Sequence, residues 1–366
     1  MIYLDHAAAA PPRREVLEAM WPYLTGLFAN PSSQHEPGEQ ARRALEEARR
    51  RVAEHLNARP SEIIFTGGGT EADNAAVKGT ALAARGRHVL ISAIEHPAVT
   101  ESAHWLERFG FEVEVLPVDA AGLLAAETLA GAMRADTALI SVQYASNEVG
   151  TVQDIPALAG VAAEHGVPFH TDAVQAAGAL PLDVEALGVQ AMSLAGHKLG
   201  TPKGIGVLYL RRRTPFEPLL HGGGQQRGVR SGTEDVAAAV GMAAALDLTA
   251  AEDLATLRER RDRFIAAVED ALPQARLTGH RVRRLPGHAS FVFPGRSGES
   301  VLLDLQRHGI SCSSGSACDA GSQEPSPALA AMGCPPELAE TAVRFTFGPG
   351  TGESELNRTV GLLTQL

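Results

Sequence analysis

The sequence predicts an α/β protein in which a large domain is built on a mostly parallel seven-stranded sheet and a smaller domain is α+β. Three observations carry this. Between about residues 63 and 210, short runs rich in Val and Ile alternate with helical patterns, as in a sheet covered on both faces. At 366 residues the chain exceeds what a single small core organises, so two lobes are expected. Beyond the glycine run 222–224 the composition turns to Ala-rich and Arg/Glu-rich helix, and isolated strand patterns return only much later.

In chain order, the expected strands of the large sheet are EIIFT, HVLISAI, FEVEVLPV, ALISVQY, VPFHTDA, VQAMSLA and GIGVLYL. Helical patterns fall between them at 71–85, 98–109 and 155–165. A single long helix over 235–272 is expected to bridge out of the sheet. The strands ASFVF and VRFTF and a helix over 299–308 then form the smaller unit, which the N-terminal arm joins. This places the large domain at 14–245 and the small domain at 1–13 and 246–366.

Hydrophobic residues make up 45% of the chain and charged ones 20%, which suits a globular protein and argues against disorder. The net charge of -11 disfavours nucleic acid, whose phosphates demand clustered Lys and Arg. Arg211, Arg212 and Arg213 follow an apolar run and read as a solvated strand end. Cys312, Cys318 and Cys334 have spacings that fit neither a zinc site nor a disulfide framework, so a reduced compartment is expected. No 18-residue apolar run occurs and Asp5 interrupts the N-terminal segment, so no membrane association and a cytoplasmic location are expected.

The chain has only three lysines, Lys78, Lys198 and Lys203. Lys198 follows the strand VQAMSLA, at the carboxyl edge where open α/β sheets bind ligands; standing alone it reads as a surface lysine. Gly67, Gly68, Gly69 and Thr70 follow a strand and open a helix, which outlines an anion cup, although a tight turn explains them as well. Asp172 and Gln175 follow VPFHT, where a carboxylate either caps a helix or holds a ring nitrogen. His96 ends another strand and is placed to stack on a flat ring or, as a catalytic residue, to transfer protons; standing alone it reads as structural. Four strand ends thus converge on one edge. Cys318 sits in a Ser/Gly-rich stretch suited to an exposed, mobile nucleophile, whereas Cys312 and Cys334 read as inert. Arg344 in VRFTF binds a carboxylate or makes a structural pair.

The stretches YLDHAA, NPSSQH, EIIFTGGGTEADN, IEHPAV, SNEVGTVQ, HTDAVQ, SLAGHKLGTPKGIG, HGGGQQRGVRSGT, SSGSACDAGSQEPS and VRFTFG resemble the cysteine desulfurases, class V, fold-type I pyridoxal phosphate enzymes. The resemblance spans nearly the whole chain. It implies pyridoxal 5'-phosphate as cofactor, with Lys198 as its covalent attachment point, Asp172 at the ring nitrogen, Gln175 at the ring hydroxyl and His96 stacked on the ring. Gly69, Thr70, His197 and the nearby Ser193 would hold the phosphate, joined by Thr233 from the other subunit of a homodimer. Arg344, Asn30 and Asn147 would line the L-cysteine site, with Asn147 also near the cofactor. Cys318 would receive sulfur as a persulfide, on a segment whose wording resembles the flexible-loop subgroup. An iron–sulfur scaffold, a tRNA-thiolation protein or a sulfur carrier would accept the sulfur.

The sequence departs from the family pattern at Ala195, usually a phosphate-binding serine, at Ala9 and Ala10, usually threonines, at Gly67 and Gly69, and at the Gly-Pro-Gly after Phe347. The alternative readings are a cysteine or selenocysteine lyase, a class V aminotransferase, and a binding protein that has lost catalysis. Cys318 separates desulfuration from the lyase.

Overall fold

The N-terminal residues are extended: β1 (Ile2–Tyr3) is followed along the chain by seven strands that make one sheet. These are β2 (Ile63–Thr66), β3 (His88–Ser92), β4 (Glu112–Leu116), β5 (Thr137–Ser141), β6 (Phe169–Asp172), β7 (Ala191–Ala195) and β8 (Gly206–Leu210). The structure is a computed structural model and describes residues 1–314 and 326–365. Each of the seven expected strand runs becomes a strand. Every residue of β3, β5, β6, β7 and β8 is buried, which explains their continuous apolar character. The edge strand β4 instead alternates glutamates with valines and leaves Glu112 and Val115 exposed.

The sheet order is β2-β8-β7-β6-β5-β3-β4. Strands β4, β3, β5, β6 and β7 pair in parallel, while β8 runs antiparallel to both β7 and β2. Reversing one strand leaves all the others pointing the same way. The carboxyl ends of β2, β3, β5, β6 and β7 and the start of β8 therefore meet at one edge. A ligand site forms there because the strands stop and the chain must turn.

The helix expected over 235–272 is two helices, Val236–Ala250 and Leu254–Ala271. The break has a local cause: the Asp253 carboxylate accepts the Thr256 N–H at 3.0 Å and starts a second helix. The two halves also have different surroundings. Val236–Ala250 is buried on most sides between the helices Arg14–Thr25 and Glu36–His55. Its small residues allow that approach, since a Cβ on Gly241 would lie 2.7 Å from Met20 Sδ. Leu254–Ala271 turns Phe264, Ile265 and Val268 into a second core.

That second core gathers Phe264, Phe291, Phe345 and Phe347 with Ile2 and Leu4 from the far N-terminus. It is covered on one side by the three-stranded sheet of β9 (Arg276–Leu277), β10 (His288–Val292) and, after β11 (Ile310–Ser311), β12 (Ala342–Thr346). β1 pairs in parallel with β11, and Leu4 accepts the Thr346 N–H at 2.8 Å. Residues 5–8 are thereby laid across the carboxyl edge of the large sheet.

Candidate active site

At that edge lies a cavity of about 690 Å³, within the range that holds small-molecule cofactors. Its walls come from the strand ends in turn. After β2 the chain turns through Gly68, whose φ of +156° suits only glycine, and enters a helix at Gly69. The first N–H groups of that helix have no intrahelical acceptor. A Cβ on Gly69 would lie 2.9 Å from Val174 Cγ2 and 3.2 Å from Ala195 Cβ, so glycine here lets three strand ends close together. Thr70, His197 and Lys203 line the same side. Burial pushes the His197 imidazole down to about 4, with Lys198 and Lys203 adding to the effect.

Asp172, the last residue of β6, is buried and its Oδ1 accepts the Val174 N–H at 2.8 Å. Burial raises its carboxyl above the ordinary value, against the pull of His96, the Val174 amide and Lys198. Gln175 donates to the Ala7 carbonyl at 2.9 Å. The Lys198 amine donates to the carbonyls of Ala7 and Ala8, the latter at 2.9 Å. Both contacts depend on the N-terminal arm. His96 caps the helix Pro97–Leu106 by accepting the Ala98 N–H on Nδ1 at 3.1 Å, which fixes the orientation of its ring.

Arg344 closes the opposite wall. It is 1% exposed, donates to the Asn147 carbonyl and to Asp5 Oδ1, each at 3.0 Å, and keeps a buried Nε with no hydrogen-bond partner. Arg344 thus makes a structural pair and also lines the cavity.

Three residues expected at the site are placed elsewhere. Ser193 lies one pleat below Ala195, wholly buried, with Oγ 3.0 Å from His170 Nε2; it does not line the cavity and does not replace the hydroxyl missing at 195. Asn30 is exposed and accepts the Ser32 N–H at 2.8 Å, away from the cavity. Thr233 is exposed and also stands outside the lining. Cys318 lies outside the described residues. On its N-terminal side, Ser313 and Arg344 exchange backbone hydrogen bonds of 3.2 and 2.7 Å. On its C-terminal side, the Ser326 hydroxyl donates to Glu148. Burial pushes the Cys312 thiol up to about 12 and raises that of Cys334, so neither is a thiolate at neutral pH.

Sequence reading missed the floor and one wall. Asp73, Gln143 and Lys203 line the cavity, and Glu95 stands behind Gln143, accepting its N–H at 2.7 Å. Asp73 lies three residues after Thr70 on one helix, a spacing that puts both on one face. Glu95 had no such signal, because its partner Gln143 comes from a segment 48 residues on. Burial lifts the Glu95 carboxyl from 4.5 to about 8. The folded state then keeps a proton that the unfolded chain releases above 4.5, so stability falls as pH rises from 4.5 towards 8. Glu95→Gln is expected to remove a slope of up to ~1.4 kcal/mol per pH unit, read from urea melts of both proteins across that range.

The cavity fits a phosphorylated pyridine aldehyde: an amine on one side, a buried carboxylate at the far end and a glycine-lined helix start for the phosphate. Fold and site together define a fold-type I pyridoxal phosphate enzyme. Residues 2–358 match the family model described as aminotransferase class-V. The chain is 45% identical to the cysteine desulfurase IscS of Dictyoglomus turgidum, over 100% of this chain and 94% of that protein. It superposes on a solved NifS-like protein with a TM-score of 0.93 at 32% identity, covering 100% and 98% of the two chains. It also superposes on SspA in complex with cysteine with a TM-score of 0.86 at 36% identity, covering 95% and 99%. The chain belongs to the class-V aminotransferase family and, within it, to the pyridoxal phosphate-dependent cysteine desulfurases.

Proposed function

We propose that the protein takes sulfur from L-cysteine, releases L-alanine and holds the sulfur as a persulfide on Cys318 for a protein acceptor. One observation carries this reading: Lys198, Asp172 and Arg344 face a single cavity. Pyridoxal phosphate, attached through Lys198, supplies the electron sink that makes a substrate's Cα–H acidic and its Cβ–S bond labile. Gly69, Thr70 and His197 hold its phosphate, Asp172 its ring nitrogen, Gln175 its hydroxyl and His96 its ring face. Thr233 reaches the phosphate of the second subunit in a homodimer.

The remaining work belongs to this chain's own groups. Arg344, already oriented by Asp5 and the Asn147 carbonyl, offers its guanidinium to the substrate carboxylate. Asn147, which lines the same cavity, completes the substrate contacts. The Lys198 amine is the proton carrier at Cα. The Cβ–S bond of cysteine breaks as the S–S bond to Cys318 forms, and a proton completes alanine. The raised thiols of Cys312 and Cys334 support Cys318 as the acceptor.

The exposed apolar residues Leu17, Trp21, Leu24 and Phe28 support a homodimer, since such a stripe favours burial against another surface. Among the described residues no helix is long and apolar enough to cross a membrane. A cytoplasmic protein passing sulfur to an iron–sulfur scaffold, a tRNA-thiolation protein or a sulfur carrier accords with these features.

Mass spectrometry of Cys318, after incubation of cofactor-loaded protein with L-cysteine and no reductant, tests the proposal alongside an alanine assay. The expected result is a gain of one sulfur on Cys318 with release of alanine. Turnover with an unmodified Cys318, or full turnover by Cys318→Ala, would instead establish a lyase.

A further inference from the structure

Beneath the cavity floor lies a box of carboxyls that the reaction above leaves without a role. Asp73 is 1% exposed and lines the cavity beside Asp172. Its Oδ1 has no hydrogen-bond partner and lies 3.7 Å from His170 Nε2. His170 is pinned between two hydroxyls, with Nδ1 2.8 Å from Ser141 Oγ and Nε2 3.0 Å from Ser193 Oγ. Burial pushes this imidazole down to about 3, so it is neutral and supplies no counter-charge. The third acid, Glu95, takes the Ser92 hydroxyl and the Gln143 N–H on Oε1 and leaves a buried Oε2 unbonded.

The groups facing this box are therefore three carboxyls, from Asp73, Glu95 and Asp172, a neutral His170, and, towards the cavity, His96 and Lys198. Carboxyls this deeply buried do not remain adjacent anions without a cation for each. The environments of Asp73 and Asp172 decide which one stays charged. Asp172 receives an amide N–H and faces Lys198 and His96. Asp73 has the Ser193 hydroxyl and the uncharged His170, and both Asp172 and Glu95 oppose its ionisation.

We propose that Asp73 is a positioning acid, carrying a proton in the native protein so that the cavity floor presents one anion, Asp172, to the cofactor ring nitrogen. Its carboxyl shapes the end of the cavity as a neutral group, and the hydrogen-bonded row Ser141–His170–Ser193 holds it there. The second half of this statement rests on the cofactor reading; the protonation itself concerns the cofactor-free protein.

Asp73→Asn keeps the shape and removes the proton that can be lost. The infrared difference spectrum of cofactor-free wild type minus Asp73→Asn at neutral pH is expected to show the carbonyl stretch of a protonated carboxylic acid. Loss of a carboxylate band instead would overturn the proposal. Affinity for pyridoxal phosphate, measured by equilibrium dialysis at neutral pH, is expected to change less than ~5-fold in Asp73→Asn, the scale of one neutral hydrogen bond. As pH rises, wild type should lose affinity more steeply than the variant, because only wild type gains a second anion; parallel pH profiles would count against the role. Should Asp73→Asn fail to fold, carboxyl NMR of wild type labelled with ¹³C-aspartate, with the Asp172 signal identified from Asp172→Asn, decides: a buried aspartate other than Asp172 still protonated at neutral pH supports the proposal, and none, or Asp172 alone, overturns it. A protein that shows the acid but binds no pyridoxal phosphate would refute the cofactor reading alone.

Discussion

Lys198→Ala is expected to lower the release of alanine from L-cysteine by about 10⁴-fold, the upper range for loss of a positioned proton carrier. Covalent attachment of the cofactor should vanish with it, so gel filtration should strip the variant of its colour. The fold should survive, because the wild-type amine bonds to the carbonyls of Ala7 and Ala8 at the edge of a cavity, and alanine leaves those carbonyls open to water. Circular dichroism should therefore overlay on wild type. Retained turnover in Lys198→Ala would remove this lysine from the chemistry and with it the proposed mechanism.

Arg344→Ala should lower kcat/KM for L-cysteine by roughly 10²–10³, equivalent to losing a pair of charge-assisted hydrogen bonds. Most of that loss should appear in KM, because the guanidinium binds a carboxylate that does not react. The same change strands Asp5 and the Asn147 carbonyl, which Arg344 holds at 3.0 Å each, and should cost about 3 kcal/mol of stability. Arg344→Lys separates the two effects. It restores a charge beside Asp5 but not a planar fork, so stability should recover more than KM. Steady-state kinetics and urea melts of the two variants read this directly; an unchanged KM in Arg344→Ala would place the substrate carboxylate elsewhere.

The two-helix break at Ala251–Asp253 shows where local pattern runs out. Helical periodicity continues through 235–272, and only the Asp253 cap and the change of packing partners reveal the interruption. Ser193 teaches a related lesson. It shares a strand face with Ala195 two residues on, so period-2 reasoning puts both on the same side, but only the residue at the strand end reaches the cavity. Thr70, Asp172 and Lys198 were legible because each ends or follows an apolar run that can only be a buried strand. Asp73 and Glu95 were not, since an acid in sequence gives no sign of being buried by segments distant in the chain.

By itself the sequence determined the seven strand runs, the glycine-lined entry to the helix at Gly69 and the residues gathered at one sheet edge. Those are local signals, set by hydrophobic period and by positions that tolerate no side chain. The tertiary structure alone decided that β8 reverses among parallel neighbours, that the arm carrying Ala7 and Ala8 crosses to meet Lys198, and that Asp5 orients Arg344 from 339 residues away. It also decided which carboxyls lie beyond reach of water. Contacts between distant segments and the desolvation they impose depend on how the two cores meet, and no run of neighbouring residues encodes that.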